Sequence, residues 1–134
     1  MVRAARIALV LYLGGVAAVT LGQRPNGLFD GGLRAVTDLT GGLLSPAAIE
    51  AGANVAMFVP LGFLLCRSFP AARRTLLWAL CVAASAAVEL YQWVGPARDA
   101  TVQDVVMNAL GAALGVAVSR AVDSLAARAA ARHG

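Results

Sequence analysis

The chain has 134 residues, of which 60% are hydrophobic and only 13% are charged. Soluble domains usually contain about a quarter charged residues, so this composition excludes an ordinary water-soluble globule and indicates one membrane domain. All eleven basic residues are arginines, and with seven acidic residues they give a formal net charge of +4. They lie at the ends of apolar runs and not together on a polar face, which argues against nucleic-acid binding.

The few cysteine and histidine residues and their positions argue against metal binding and thiol chemistry. Cys66 and Cys81 lie within or at the end of apolar runs, where small buried thiols are more typical than a disulfide. The only histidine is His133, next to the C-terminus. A histidine-based metal site or a Ser-His or Cys-His catalytic pair is therefore nearly excluded, and we expect neither a metal nor a cofactor.

The first apolar run follows two arginines, Arg3 and Arg6. Three more apolar segments follow it and no clear cleavage pattern ends it, so we expect an uncleaved transmembrane helix at about 4–22 rather than a signal peptide. Small residues form a stripe on this helix that would allow another helix to approach closely. The stripe consists of Gly14, Gly15, Ala18 and Gly22.

The glycine-rich segment 23–45 is the first outer loop. Leu33, Val36, Leu39 and Leu43 recur in it at helical spacing, which predicts a short helix on the membrane surface. The glycine pairs on either side are expected to fray its ends.

Three further helices are predicted from their caps and breaks. Ser45-Pro46 is typical of a helix start, and a second transmembrane helix is expected at about 46–66. Pro60 removes the hydrogen bond to the Ala56 carbonyl and predicts a kink.

A third helix, about 75–94, ends at Gly95-Pro96. Thr101 is the expected cap of a fourth, about 102–120, and the tail 121–134 continues as helix before fraying. The predicted fold is all-α: a polytopic membrane protein with four transmembrane helices in a bundle.

The arginines predict the orientation of this bundle. With the N-terminus in the cytoplasm, eight arginines face inward and three, Arg24, Arg34 and Arg98, face outward. The positive-inside rule therefore favours a multi-pass protein of the cell membrane with both termini in the cytoplasm.

This topology brings polar residues that are distant in sequence to one depth at the outer face. They are Asn54, Glu89, Gln92, Arg98, Asp104 and Asn108, with Asp99 in the adjoining loop. Each helix carries a stripe of polar and small residues, so the stripes could meet around a polar pocket. On the fourth helix Gly111 and Gly115 form a GxxxG pair, which is typical of close helix contact, and Gly62 lies on the stripe of the second.

Two explanations of this cluster carry equal weight. In the first, Arg98 pairs with Glu89 and Asp104 while Asn54 and Asn108 bond helix to helix, so that the cluster is structural. In the second, the cluster is a binding or reaction site, because ionisable groups within a membrane are by default candidates for function.

The same residues carry a resemblance to a known family. Asn54, Phe58, Pro60 and Gly62 are followed by Glu89 and Gln92, and then by Arg98, Asp104, Asn108, Gly111 and Gly115. This order and spacing resemble the VanZ-like family of small bacterial membrane proteins. The resemblance covers about residues 50–118. It implies the cell envelope and a link to glycopeptide (teicoplanin) resistance in the member for which the family is named, without supplying a reaction.

Three functions are compatible with these observations. The outer pocket could bind a lipid-linked envelope precursor or a glycopeptide. Alternatively, Glu89 or Asp104 could be the acid or base of an intramembrane enzyme, with Arg98 holding a phosphate or carboxylate; a nucleophile with a nearby base is lacking. Finally, the small-residue faces could join a partner membrane protein or a second copy. In each case membrane lipids surround the chain.

Overall fold

The computed structural model of the chain describes residues 2–21, 25–94 and 101–132. Five helices and no strand occur in these ranges, which confirms the all-α prediction. The helices are α1 Val2–Leu21, α2 Pro25–Leu39, α3 Pro46–Ser68, α4 Arg74–Val94 and α5 Val102–Ala131.

Side chains at the helix starts explain where α3 and α5 begin. The Ser45 hydroxyl accepts a hydrogen bond from the Ala48 N–H at 3.2 Å, and Pro46 occupies the first turn, where its missing N–H costs nothing. Thr101 caps α5 by accepting from the Asp104 N–H at 3.2 Å. The alanine-rich tail continues α5 as helix to Ala131.

The first loop contains a longer helix than the leucine spacing predicts. α2 spans 15 residues and includes Gly31 and Gly32, so only one glycine pair ends it. Gly41 and Gly42 follow α2 with φ of 59° and 78°. The Gly42 N–H donates to the Thr37 carbonyl, and the Gly41 N–H donates to that of Asp38. This hydrogen-bond pattern is a Schellman motif, whose left-handed residue is most often glycine.

Three of the described helices are long and apolar enough to cross a membrane. They are Pro46–Ser68, the Arg74–Tyr91 part of α4, and Val102–Ala131. The prediction of an all-helical membrane protein is therefore supported for three of the four expected crossings. That α1 also crosses the membrane stays a prediction.

The helices do not form a symmetric four-helix bundle. α3 is central: it packs along α5 and also contacts α1, α2 and α4, while α4 packs mainly on α5. Among the described residues α1 contacts only α2 and α3. Within the described residues no helix approaches Gly14 or Gly15 closely, since a Cβ added at either would meet nothing within 4 Å. Gly22, at the end of the small-residue stripe, lies outside the described residues, and the close approach of another helix to this stripe stays a prediction.

Candidate functional site: a buried polar cluster

The described members of the predicted cluster lie at the end of the core where α3 and α5 begin and α4 ends; we call it the polar end. They are Asn54, Glu89, Asp104 and Asn108. Asn54 of α3 donates from its amide Nδ2 to the Oδ1 atom of Asp104 in α5. Only 7% of Asn54 and 8% of Asp104 are exposed. An amide and a carboxylate 50 positions apart therefore form a buried hydrogen bond that joins the two helices.

Thr101 extends this bond to α4. Its hydroxyl donates to Oδ2 of Asp104 at 2.8 Å, and its backbone N–H donates to Oε2 of Glu89 at 3.2 Å. The chain of hydrogen bonds from Asn54 through Asp104 and Thr101 to Glu89 thus links α3, α5 and α4. The sequence indicates Thr101 only as a helix cap. Its bond to Glu89 depends on the path of the chain between α4 and α5.

Asn108 lies one turn deeper on the same face of α5. Its amide Nδ2 donates to the Ser85 hydroxyl of α4 at 2.8 Å. Asn108 is 6% exposed and Ser85 2% exposed. The other amide atom, Oδ1 of Asn108, is buried and has no hydrogen-bond partner within the part of the chain that the structure describes. A buried acceptor in this state costs about 1–3 kcal/mol.

Below the polar residues, glycines bring the backbones of α3 and α5 together. A Cβ at Gly111 would lie 2.9 Å from Cβ of Phe58, and closer still to the Val55 carbonyl oxygen. A Cβ at Gly115 would lie 2.7 Å from the Phe63 nitrogen, and one at Gly62 would overlap the Ala112 carbonyl oxygen. These three glycines therefore face a partner helix of the same chain.

Pro60 lies in the middle of α3, which continues as helix on both sides of it. In the turn before Pro60, the Tyr12 hydroxyl of α1 donates to the Met57 carbonyl. Proline disturbs the carbonyls of the preceding turn, and in a membrane a neighbouring side chain is one of the few groups able to bond them. Sequence reasoning did not identify Tyr12, because nothing in its own helix indicates which carbonyl it meets.

Replacing Tyr12 with Phe is expected to lower the free energy of unfolding by about 1 kcal/mol, because it removes this one hydrogen bond and keeps the ring. Chemical denaturation in detergent measures the change. Tyr91→Phe is the control, since Tyr91 is 71% exposed. Equal effects of the two changes would contradict a specific role of the Tyr12 bond.

Some of the predicted site lies outside the described residues. This applies to Arg98 and Asp99 and to the side chain of Gln92, so the proposed pairs of Arg98 with Glu89 and Asp104 stay predictions. Among the described residues, Asp104 forms no ion pair with an arginine. Nor do those residues contain a group of three or more His, Cys, Asp or Glu able to hold a metal ion.

Two cavities in the structure lie at the opposite end of the core, where α1 and α4 begin and α3 ends; we call it the arginine end. They have volumes of about 610 and 260 Å³, and Arg74 lines both. At the polar end the side chains of Asn54, Asp104, Asn108 and Ser85 are all buried. They form two hydrogen-bonded pairs, Asn54 with Asp104 and Asn108 with Ser85.

The family model of VanZ/LLP1 matches residues 9–123, which is most of the chain. The chain belongs to the VanZ/LLP1 family. The match includes every residue of the polar cluster and extends from α1 into the second half of α5. No curated protein and no solved structure matches the chain. The VanZ-like resemblance drawn from the motifs is thus confirmed, and the family covers more of the chain than the motifs do.

Proposed function

We propose that this VanZ/LLP1-family chain is a four-pass protein of the bacterial cell membrane that binds the polar group of an envelope lipid or glycopeptide at its outer face. The proposed ligand-binding residues are Asn54, Glu89, Asp104 and Asn108 of the polar end, together with Gln92 and Arg98. No cofactor takes part.

The orientation rests on the distribution of charge over the two ends. Arg6, Arg67 and Arg74 lie at the arginine end, and the positive-inside rule puts such an end in the cytoplasm. α1 supports the fourth crossing because its apolar side chains face away from the core: Ile7, Val10 and Leu11 are each more than 60% exposed. Surfaces of this kind are stable in lipid and costly in water.

The observation that carries the binding proposal is the buried Oδ1 atom of Asn108, which has no hydrogen-bond partner among the described residues and lies one helical turn from Asp104 on the same face of α5. Both groups accept hydrogen bonds, and both are more than nine-tenths buried. A ligand that supplies N–H or O–H donors would give the Asn108 oxygen a hydrogen bond. It would also add further hydrogen bonds to the ones that Asp104 already accepts from Asn54 and Thr101. Envelope precursors and glycopeptides both carry such donors on sugars, peptide amides and amines.

The test is thermal unfolding of the purified protein in detergent with a lipid-linked peptidoglycan precursor, a polyprenyl phosphate or teicoplanin. We expect one of them to raise the midpoint by several degrees, as ligand at about 100 times its Kd would. In the Asn108→Leu protein this shift should disappear, while Asp38→Asn, which changes an exposed acid of α2, should keep it. A shift that survives in Asn108→Leu, or no shift with any compound, would contradict the proposal.

A purely structural role of the cluster is the second candidate, and a specific observation favours it. Asn54 and Thr101 both donate to Asp104, and Asn108 donates to Ser85, so that these bonds join three helices. In this case substitutions should change stability alone, and no envelope compound should distinguish the parent protein from its variants.

A further inference from the structure

The larger cavity at the arginine end occupies the gap that the helix arrangement leaves between α1 and α4. These two helices both lie near α3 at this end but do not contact each other. The cavity has a volume of about 610 Å³, which is within the range of ~300–1,000 Å³ typical of small-molecule sites. Its walls include Ala5 and Ala8 of α1, Phe63 of α3 and Leu77 of α4. Walls of this kind favour a hydrocarbon chain over water.

Arginines of α3 and α4 line the same cavity. Arg67, near the end of α3, and Arg74, at the start of α4, both bond to Asp123 of α5. One carboxylate thus faces two guanidinium groups, so that Arg67, Arg74 and Asp123 together keep a net positive charge. The Nη1 atom of Arg74 is buried and has no hydrogen-bond partner in the described part of the chain. Arg74 therefore keeps a buried N–H group that Asp123 does not use, in a side chain that lines the cavity.

A third arginine lies beside the cavity. Arg6 of α1 stacks on the Phe69 ring, with 5.5 Å between its guanidinium carbon and the ring centroid, and its Nε–H donates to the Ser68 carbonyl at 3.2 Å. Phe69 itself lines the cavity. These two contacts hold the Arg6 side chain over the loop between α3 and α4, which adds a second source of positive charge near the cavity.

We propose that this cavity binds one acidic phospholipid of the surrounding membrane, with an acyl chain between α1 and α4 and the phosphate on Arg74 and Arg67. The guanidinium group suits this role because its forked N–H groups match phosphate oxygens. Basic pockets between membrane helices are suited to anionic head groups for the same reason. The proposal concerns the arginine end alone and does not depend on the ligand proposed for the polar end.

The experiment measures lipid binding to the purified protein in a neutral detergent by native mass spectrometry and by the thermal midpoint. The probes are phosphatidylglycerol, phosphatidylcholine with the same acyl chains, and inorganic phosphate. We expect only phosphatidylglycerol to remain bound and to raise the midpoint. Equal retention of phosphatidylcholine would overturn the charge requirement, and an equal effect of inorganic phosphate would overturn the role of the acyl chain.

Three variants and one matched control distinguish lipid binding in this cavity from unspecific attraction of the lipid to a basic surface. Arg74→Gln should require on the order of tenfold more phosphatidylglycerol for the same effect, because one charged hydrogen-bond donor is lost. Ala5→Leu should weaken binding by filling the cavity, and Asp123→Asn should strengthen it by releasing both arginines. Arg73→Gln is the control, since Arg73 is exposed and does not line the cavity.

The outcomes distinguish the proposal from its alternatives. If Arg73→Gln weakens binding as much as Arg74→Gln, the lipid is attracted by surface charge alone and the site is disproved. If Asp123→Asn lowers retention of phosphatidylglycerol, the arginines act only as partners of Asp123, which also contradicts the proposal. Because Asp123→Asn should increase binding, it remains informative even where Arg74→Gln fails to fold.

Discussion

Gly115→Ala is expected to destabilise the protein by about 3 kcal/mol, the upper end of the usual cost of overpacking. The added Cβ would lie 2.7 Å from the Phe63 nitrogen and would overlap the Val59 carbonyl oxygen. Both are backbone atoms, so no side-chain rotation relieves the contact and α3 and α5 must separate. Separation would also disturb the Asn54–Asp104 bond at the polar end. Denaturation in detergent and the amount of protein in the membrane both measure the effect.

Two other glycines provide matched controls for this prediction. Gly52 of α3 and Gly14 of α1 would meet nothing within 4 Å if each carried a Cβ. Replacing either with Ala should leave the protein as stable as before or stabilise it by up to ~1 kcal/mol, since alanine is the better helix former. A Gly115→Ala protein as stable as the Gly52→Ala protein would show that the close approach of α3 and α5 is not needed for folding.

Asp104→Leu is expected to lower the free energy of unfolding by about 2–4 kcal/mol. The change leaves the Asn54 amide buried without its acceptor and removes the acceptor of the Thr101 hydroxyl. The buried Asn54 amide left without an acceptor costs about 1–3 kcal/mol, and the lost bond of the exposed Thr101 hydroxyl costs about 1 kcal/mol. Asp104→Asn should cost much less, because an amide can still accept from Asn54 and donate to the Thr101 oxygen. Denaturation in detergent should therefore rank the parent first, then Asp104→Asn, then Asp104→Leu.

A double-mutant cycle isolates the bond between the two helices. Asn54→Leu and Asp104→Leu should together cost less than the sum of their separate effects, with a coupling of about 0.5–2 kcal/mol. Asp38→Asn serves as the control acid, since Asp38 is exposed on α2, and should show no coupling with Asn54→Leu. Additive effects of Asn54 and Asp104 would contradict a direct hydrogen bond between them.

The two explanations of the polar cluster predict different results for Asp104→Asn. If the cluster only holds helices together, this variant should keep most of its stability and all of its function. If the carboxylate binds a donor-rich ligand, the variant should stay folded and lose the ligand-induced rise in the thermal midpoint. Comparing stability with ligand response in one variant thus separates the two roles.

The capping and proline residues between the apolar runs predict where the helices begin, because they act on the backbone of the turn next to them. Serine followed by proline at Ser45-Pro46, and Thr101 ahead of α5, satisfy backbone groups of their own first turn. The glycine pair 41–42 ends α2 through its own dihedral angles. The other pair, 31–32, is helical, because a glycine weakens a helix without having to end it.

Periodicity also predicts which residues share a face. Asp104, Asn108, Gly111 and Gly115 are spaced for one side of a helix, and all four are buried on α5. The spacing does not identify the partner of each residue. That Asn54 meets Asp104, that Asn108 meets Ser85 and that Tyr12 meets the Met57 carbonyl depends on the depth and rotation of helices that are distant in sequence.

Local features of the sequence therefore predict an all-helical membrane protein, the main helix starts, the small and polar stripes and the VanZ-like resemblance, because each of these depends on residues within a few turns of one another. The packing of the helices adds that α1 lies mainly against α3, that Asn54 bonds to Asp104 across α3 and α5, and that a cavity lined by arginines lies at the other end. The physical reason is steric: the closest approach of two helices is set where glycine faces a backbone, as at Gly62, Gly111 and Gly115. That contact holds α3 against α5.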